Sequence, residues 1–458
     1  MAQEDTGSHT NNRYDLRRYF VIPALFLVMI FLHVSPGVHN PASRLRPVSL
    51  FVSPPIFTQD GKSEIISDRS GTDSCSATSK VGFMKTHKTA SSTVQNILFR
   101  FGLNSGWNFV LPDRGSHLGP HEHQYQLTLP YNSSWYQEVP WAAMARQQGY
   151  NIFALHTKWS QDQVAKVLGS SGGDTKFITI LRNPVDNFES LYNYVHFNQT
   201  FNMTLEEFVI EYIKERQHIE RVHEYLGQNQ QLWDLGLAAE NITNLAAVKE
   251  KIEQIDKDFD LVMIKEDFDA SLVLLSEELC WPLANMTSLK VNARKKSAVE
   301  KLSQEARELL QDWLWADQML YDHFKGKLDK RKVEYGLQRM ERHISKLKDL
   351  NAEVKSLCVL ETVKDTQKLS EEYIPYSQDV VGFDINDEAN PYCKFYGMSE
   401  ISFIDTIRST QEERCCMDEK IKDDQLESRR LPLSSLDNSI HASESSPEPA
   451  LLDSIELV

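Results

Sequence analysis

Two stretches of this chain carry residue types suited to holding phosphate-like anions, and a histidine lies between them. The first is Lys85-Thr-His-Lys-Thr-Ala-Ser-Ser-Thr93. It follows an apolar run, Val81 to Met84, that predicts a buried strand. It leads into Val94 to Phe101, whose apolar residues recur at helical spacing. A strand, a loop of lysines and small hydroxylated residues, then a helix start make an anion site in outline. First-turn N–H groups have no intrahelical partners, the helix dipole favours negative charge, and Ser and Thr hydroxyls add donors. Gly-x-x-x-x-Gly-Lys-Ser/Thr is absent and no glycine lies between Lys85 and Thr93, so the loop is not the phosphate loop of ATP-type enzymes. Ser91-Ser-Thr93 alone reads equally well as a helix cap; the two lysines and the flanking elements favour the anion site.

The second stretch is Lys176-Phe-Ile-Thr-Ile-Leu-Arg182-Asn-Pro184, followed by Val185 to Tyr194. An apolar strand ends at Arg182, Pro184 marks the turn, and a helix begins in which Ser190 lies two turns beyond the arginine. A guanidinium at a strand end and a serine hydroxyl together clamp a phosphate with several donors. Such an arginine taken alone reads more plainly as a surface ion pair. Between the two stretches, Ile152 to Leu155 predicts a strand that delivers His156 at its C-terminal end, the edge at which open α/β sheets bind ligands.

The elements that must position these groups follow from the pattern around them. From Lys80 to about Lys325, short apolar runs alternate with helical patterns, which predicts an α/β fold around a largely parallel sheet. The candidate strands are Val81–Met84, Ile152–Leu155, Phe177–Leu181 and Leu261–Ile264. From Lys325 to Cys358 a charged helix carries Val333, Leu337, Met340, Ile344, Leu347 and Val354 at spacings of mostly three or four. A helix laid on the domain surface is one reading of it; a short self-associating coiled coil, and with it a homodimer, is the other. Residues 359–410 form a C-terminal extension. Residues 411–458 are rich in Ser, Glu, Asp and Pro and are expected to be a disordered, acidic tail.

The 458 residues suffice for one large catalytic domain with appendages, and their 41% hydrophobic content is that of a globular protein. A net charge of -16 argues against generic nucleic-acid binding. Arg13, Arg17 and Arg18 precede the mostly apolar Tyr19 to Val34, a run of roughly 24 Å as a helix at about 1.5 Å per residue. It is short for a bilayer but suits a thin secretory membrane. The basic flank keeps residues 1–18 cytosolic and places the bulk of the chain in the lumen. A cleaved signal peptide is the rival reading, but no Ala-x-Ala site follows. Residues 35–78, rich in Pro, Ser, Gly, Asp and Thr, read as a stem. Sequons at Asn132, Asn198, Asn202, Asn241 and Asn285 agree with luminal exposure as glycosylation sites. So do six cysteines (Cys75, Cys280, Cys358, Cys393, Cys415 and Cys416), whose pairing the sequence leaves open and whose spacing fits no zinc site.

The string from Phe83 through Lys88 to Gly102 resembles the phosphosulfate-binding loop of sulfotransferases, and at full length it is similar to the galactose 3-O-sulfotransferase family. The likeness continues through Asn229 to Gly236, Phe259 to Trp281, Val291 to Arg294 and Trp313 to Phe324, and so covers roughly 79–358. It implies a P-loop-like sulfotransferase fold, a central parallel sheet flanked by helices with a C-terminal helical extension. It also implies 3'-phosphoadenosine 5'-phosphosulfate (PAPS) as co-substrate, without a metal. On this resemblance Lys85, Thr86, His87, Lys88, Thr89, Ala90, Ser91, Ser92 and Thr93 hold the phosphosulfate, Arg182 and Ser190 the 3'-phosphate, and Arg294 lies over the nucleotide. Lys88 stabilises the leaving group and His156 is the general base, a role that suits an imidazole titrating near neutrality. His87 ranks below His156 because its place in the loop aims it at the nucleotide. Trp233, Trp313, Trp315 and Tyr321 offer faces for a galactose ring, although aromatics at helical spacing more often belong to the core. The acceptor implied is the 3-hydroxyl of a terminal β-galactose on a galactosylceramide-like glycolipid or a glycoprotein glycan, with the enzyme a single-pass type II protein of the Golgi membrane. Another carbohydrate sulfotransferase, of the uronic acid 2-O type, and an inactive luminal glycan-binding protein of the same fold are the alternatives.

Overall fold

β1 (Lys80–Met84) runs through the middle of a four-stranded parallel sheet, and its apolar residues are covered on both faces. Its sequence is therefore a continuous apolar run rather than an alternation. It is followed by α1 (Ser91–Asn104), β2 (Ile152–Phe153), α2 (Gln161–Val167), β3 (Thr175–Leu181), α3 (Pro184–Tyr194), α4 (Gln230–Asp234), α5 (Leu245–Asp258), β4 (Leu261–Ile264) and α6 (Phe268–Leu279). The computed structural model describes residues 75–112, 115–116, 145, 147–169, 173–215, 226–290, 295, 301–375 and 380–429. The expected cytosolic tail, membrane segment and almost all of the stem lie outside the described residues, as do Asn132, Arg294 and 430–458. Among the described residues no helix is long and apolar enough to cross a membrane.

The strand order is β2-β1-β3-β4, with every pair parallel. Val81 lies opposite Ile152, Lys80 opposite Thr175, and Ile178 opposite Leu261. This is the α/β class expected from the sequence. The chain steps from β1 to one side and then crosses to the other, so the loops after β1 and β3 emerge side by side at the switch point, where such sheets bind ligands. β2 stops short of the expected Leu155, and the Ala154 carbonyl accepts a hydrogen bond from the Gln95 side chain at 2.6 Å. Gly102 lets α1 lie close to this edge: a Cβ there would come within 2.6 Å of Ile152 and Phe109.

The C-terminal half adds α7 (Gln304–Trp313), α8 (Trp315–Tyr335), α9 (Leu337–Cys358), an antiparallel pair β5 (Val359–Val363) and β6 (Gly382–Ile385), and α10 (Glu400–Arg429). The single helix expected over 325–358 is two helices, broken at Gly336, whose φ of 92° suits glycine. α9 packs on α6 and α8 and buries Met340, Leu347 and Val354, while Val333 and Leu337 beside the break are exposed. Most of the apolar stripe is therefore covered by the chain's own helices.

Two expectations for the C-terminus need correction. The tail expected to be disordered from 411 begins inside α10, and Phe403, Ile407, Gln411 and Cys415 form a buried stripe at four-residue spacing. That stripe fixes the helix against α1, with Phe403 on Phe99, despite the acidic composition around it. A boundary at 358 separates no cores either, since Phe395, Met398, Phe403 and Ile404 belong to the same apolar core as β1 and β3. Disulfides link Cys75 to Cys280 and Cys358 to Cys393.

Candidate active site

The loop between β1 and α1 is tied down from below by its own hydroxyls. Thr86 donates to the Ile180 carbonyl of β3 at 2.6 Å, and Ser91 and Thr89 donate to the Thr86 carbonyl at 2.7 and 3.3 Å. Thr179 of β3 donates to the Met84 carbonyl at 3.0 Å. Three of the residues expected to face the phosphosulfate thus use their side chains to hold the loop's shape. Lys88 and Ala90 take positive φ, 58° and 70°, an arrangement that turns backbone N–H groups toward one another. Ala90 is the N-cap of α1, no side chain caps that end, and its first turn holds no acidic residue. Such a loop fits an anion held by backbone donors.

Two buried polar clusters flank the loop. Lys85 is 1% exposed, and its ammonium donates to Glu400 Oε2 of α10 at 2.6 Å and to His156 Nε2 at 2.9 Å. Burial pushes the Lys85 ammonium below its usual range, and the Glu400 carboxylate opposes that shift. His87 lies on the other side, its ring stacked on His156 with centroids 4.5 Å apart. Asp234, fully buried at the end of α4, accepts from His87 Nδ1 at 2.9 Å, from the His87 backbone N–H at 2.7 Å and from Gln230 at 2.9 Å. A carboxylate only accepts, so the His87 proton sits on Nδ1 and the lone pair on Nε2. α4 is itself anchored by Asp317 of α8, whose carboxylate accepts the Gln231 and Leu232 N–H groups at 3.0 and 2.9 Å.

Arg182 lies at the end of β3, as expected. Its guanidinium donates to the Lys88 carbonyl at 3.0 Å and so touches the loop directly. Gln231 fixes the Arg182 backbone in both directions, donating to its carbonyl at 2.9 Å and accepting its N–H at 2.8 Å. α3 starts where Asn183 caps it, accepting from Val185 and Asp186 N–H groups with Pro184 in the first turn. Ser190 is buried on α3, which also sends Asn187 Nδ2 to the His87 carbonyl at 2.8 Å. Tyr194 ends α3, and the Lys88 ammonium lies 3.7 Å from its ring centroid.

Of the sequence-named residues, Lys85, His87, Lys88, His156 and Arg182 meet at the C-terminal ends of β1, β2 and β3, while Ser190 lies within α3. Ser92 is half-buried and Thr93 buried in the first turn of α1. Trp233 and Trp313 are core residues, Trp315 and Tyr321 are partly buried, and Tyr321 donates to Glu266 at 3.2 Å. Asn198 and Asn202 are exposed, and Asn241 and Asn285 are half-buried. Sequence reasoning assigned no role to Asp234, Gln95 and Glu400. Asp234 stands inside the Asn229–Gly236 segment that carried part of the resemblance, which was a signal; Glu400, 315 residues from Lys85, left none.

Comparison with known proteins points to one family. The family model described as Galactose-3-O-sulfotransferase matches residues 9–411. The galactosylceramide sulfotransferase of Bos taurus is 29% identical over 344 residues, 73% of this chain and 76% of that protein. The galactose-3-O-sulfotransferase 2 of Homo sapiens is 27% identical over 421 residues, 86% and 95% of the two chains. That of Sus scrofa is 31% identical over 296 residues, 61% and 68%.

Proposed function

The chain belongs to the galactose-3-O-sulfotransferase family and is an enzyme of that family; on that premise we propose that it transfers a sulfuryl group from PAPS to the 3-hydroxyl of a terminal β-galactose. The acceptor is a galactosylceramide-like glycolipid or a glycoprotein glycan, and the reaction takes place in the Golgi lumen with residues 19–34 as a type II membrane anchor. The observation that carries this reading is the meeting of two anion-binding loops, after β1 and after β3, beside a histidine backed by a buried carboxylate.

The donor supplies the sulfuryl group; the chain's residues hold, orient and take a proton. The N–H groups at the start of α1 and the Lys88 ammonium receive the phosphosulfate end and oppose the charge that grows on the leaving phosphate. Arg182 and Ser190 receive the 3'-phosphate. His87 takes the proton of the galactose hydroxyl on Nε2, while Asp234 fixes its tautomer and stabilises the imidazolium. His156, the base that the resemblance implies, takes a supporting place in this reading: its Nε2 accepts from the Lys85 ammonium and its ring stacks on His87. The oxygen–sulfur bond to galactose forms as the sulfur–oxygen bond to the nucleotide breaks, without a covalent enzyme intermediate.

The test is incubation of the full-length protein with labelled PAPS and a panel of galactosylceramide, lactosylceramide, N-acetyllactosamine and heparan precursors, followed by linkage analysis. Label at galactose C3 is expected, and the acceptors that take it separate glycolipid from glycoprotein specificity. Label confined to uronic acid, or nucleotide binding without transfer, overturns the reading.

A further inference from the structure

We propose that Glu400, the first residue of α10, is a positioning residue of the transfer site. It keeps the Lys85 ammonium charged and pressed against His156, so that the two stacked histidines are unequal and the acceptor proton goes to His87. This rests on the catalytic reading above and adds to it a C-terminal element that no motif marks.

An ammonium has donors only, so its 2.9 Å contact makes His156 Nε2 the acceptor and puts the His156 proton on Nδ1. Protonating His156 as well would set two cations face to face in a buried site, which disfavours it as a base while Lys85 is charged. His87 has the opposite surroundings: Asp234 holds its Nδ1, so a positive charge there is paired at once. With the rings 4.5 Å apart, the Lys85 ammonium on one side and the Asp234 carboxylate on the other make their surroundings unequal.

Everything in this selection depends on a lysine that is almost wholly buried. Desolvation lowers its pKa, and the Glu400 carboxylate is what opposes the loss of its proton. Glu400 is itself held firmly. Its Oε1 accepts from Gln95 of α1 at 3.2 Å, and Gln95 also donates to the Ala154 carbonyl at 2.6 Å, two residues before His156. Ser399 accepts the Ser402 N–H at 3.3 Å at the start of α10, where a carboxylate in the first turn is favoured by the helix dipole. The titratable groups of the cluster are Glu400 of α10, His156 after β2, His87 of the loop and, behind it, Asp234 of α4. α10 has other moorings, with Gln411 accepting the Phe109 N–H at 2.6 Å and Arg408 donating to the Pro112 carbonyl at 3.1 Å. Loss of the Glu400 charge therefore leaves the helix docked.

The experiment compares full-length wild type, Glu400→Gln and Glu400→Asp. It measures affinity for adenosine 3',5'-bisphosphate and the rate of transfer to galactose from about pH 6 to about pH 10. In Glu400→Gln, Lys85 loses its proton earlier, so the transfer rate falls at a lower pH than in wild type, while nucleotide affinity, which rests on Lys88, Arg182 and the start of α1, changes little. The loss of rate widens as pH rises, to about tenfold or greater at the alkaline end. Glu400→Asp, which keeps the charge, holds the wild-type limb at some cost in rate. Profiles of Glu400→Gln that run parallel to wild type, with a uniform loss or none, overturn the proposal and leave Glu400 a packing residue. Should Glu400→Gln fail to fold, Lys85→Met/Glu400→Gln removes both charges and is expected to regain stability; a double variant no more stable than the single one sinks the idea. The nucleotide arm needs no acceptor, so a wild type that binds nucleotide but ignores galactose rejects the acceptor reading alone.

Discussion

At the loop end of the candidate site, β1, the segment after β2, α1, α4 and α10 meet through polar side chains, with Lys85, His87 and Asp234 buried and Glu400 and His156 half-buried. At the other end Ser190 rides on α3, a helix seated by aromatic packing. Phe188 and Tyr192 pack with Phe208 and Trp313 in a second core, separate from that of the sheet. One end is specified by electrostatics and hydrogen-bond geometry, the other by shape with a single arginine added. A polar cluster assigns protons and charge but gains little from area; an apolar one gives stability and positions a hydroxyl without setting any protonation state. On the proposed function, the reacting end of the site needs the first, and a spectator phosphate is served by the second.

Variants at the two ends should therefore fail in different ways. The largest effect is expected from His87→Ala, with transfer down about a thousandfold or more and nucleotide affinity nearly kept, checked by turnover and calorimetry on one preparation. A greater loss in His156→Ala would reverse the order of the two histidines. Next, Phe188→Ala should cost about 3 to 5 kcal/mol of stability in a denaturant titration, with nucleotide affinity falling alongside. If stability holds and only affinity drops, the packing account of this end is wrong. Arg182→Ala should weaken nucleotide binding by about 2 to 3 kcal/mol, with kcat at saturating donor changed much less; a split the other way would move the arginine to the reacting end.

The smallest effect is a pH trend. Burial holds Lys85 in the fold below the ordinary 10.5, so between its folded value and 10.5 the unfolded chain binds more protons. Stability should then rise with pH across that window relative to a Lys85→Met control. An identical trend in the control would show that Lys85 is not the group responsible.

Much of the site was legible because its parts are local. A strand, an anion loop and a helix start are contiguous around Lys88, and the Arg182–Ser190 unit is another continuous stretch, so periodicity and capping residues reveal both. Gly336 splits the helix expected over 325–358, because a periodic apolar stripe does not show where the backbone turns. The acidic composition beyond 411 masked Phe403, Ile407, Gln411 and Cys415, whose spacing of four marks a docked helix. Asp234 lay in a segment that carried the resemblance, but nothing in its neighbours says that it faces His87, 147 residues away.

By itself, the sequence determined the α/β class and the placement of the Lys85–Thr93 and Arg182–Ser190 stretches after strand ends, because each depends on residues a few positions apart. Only the tertiary structure decided which histidine has a carboxylate behind it, which lysine is buried, and that α10 closes over the loop. Those are contacts between residues up to 315 positions apart, made when separate elements pack into one core. Chemistry depends on that assembled environment as well as on the identity of the side chain, and two histidines alike in sequence terms stand in different surroundings, one beside Asp234 and the other beside Lys85.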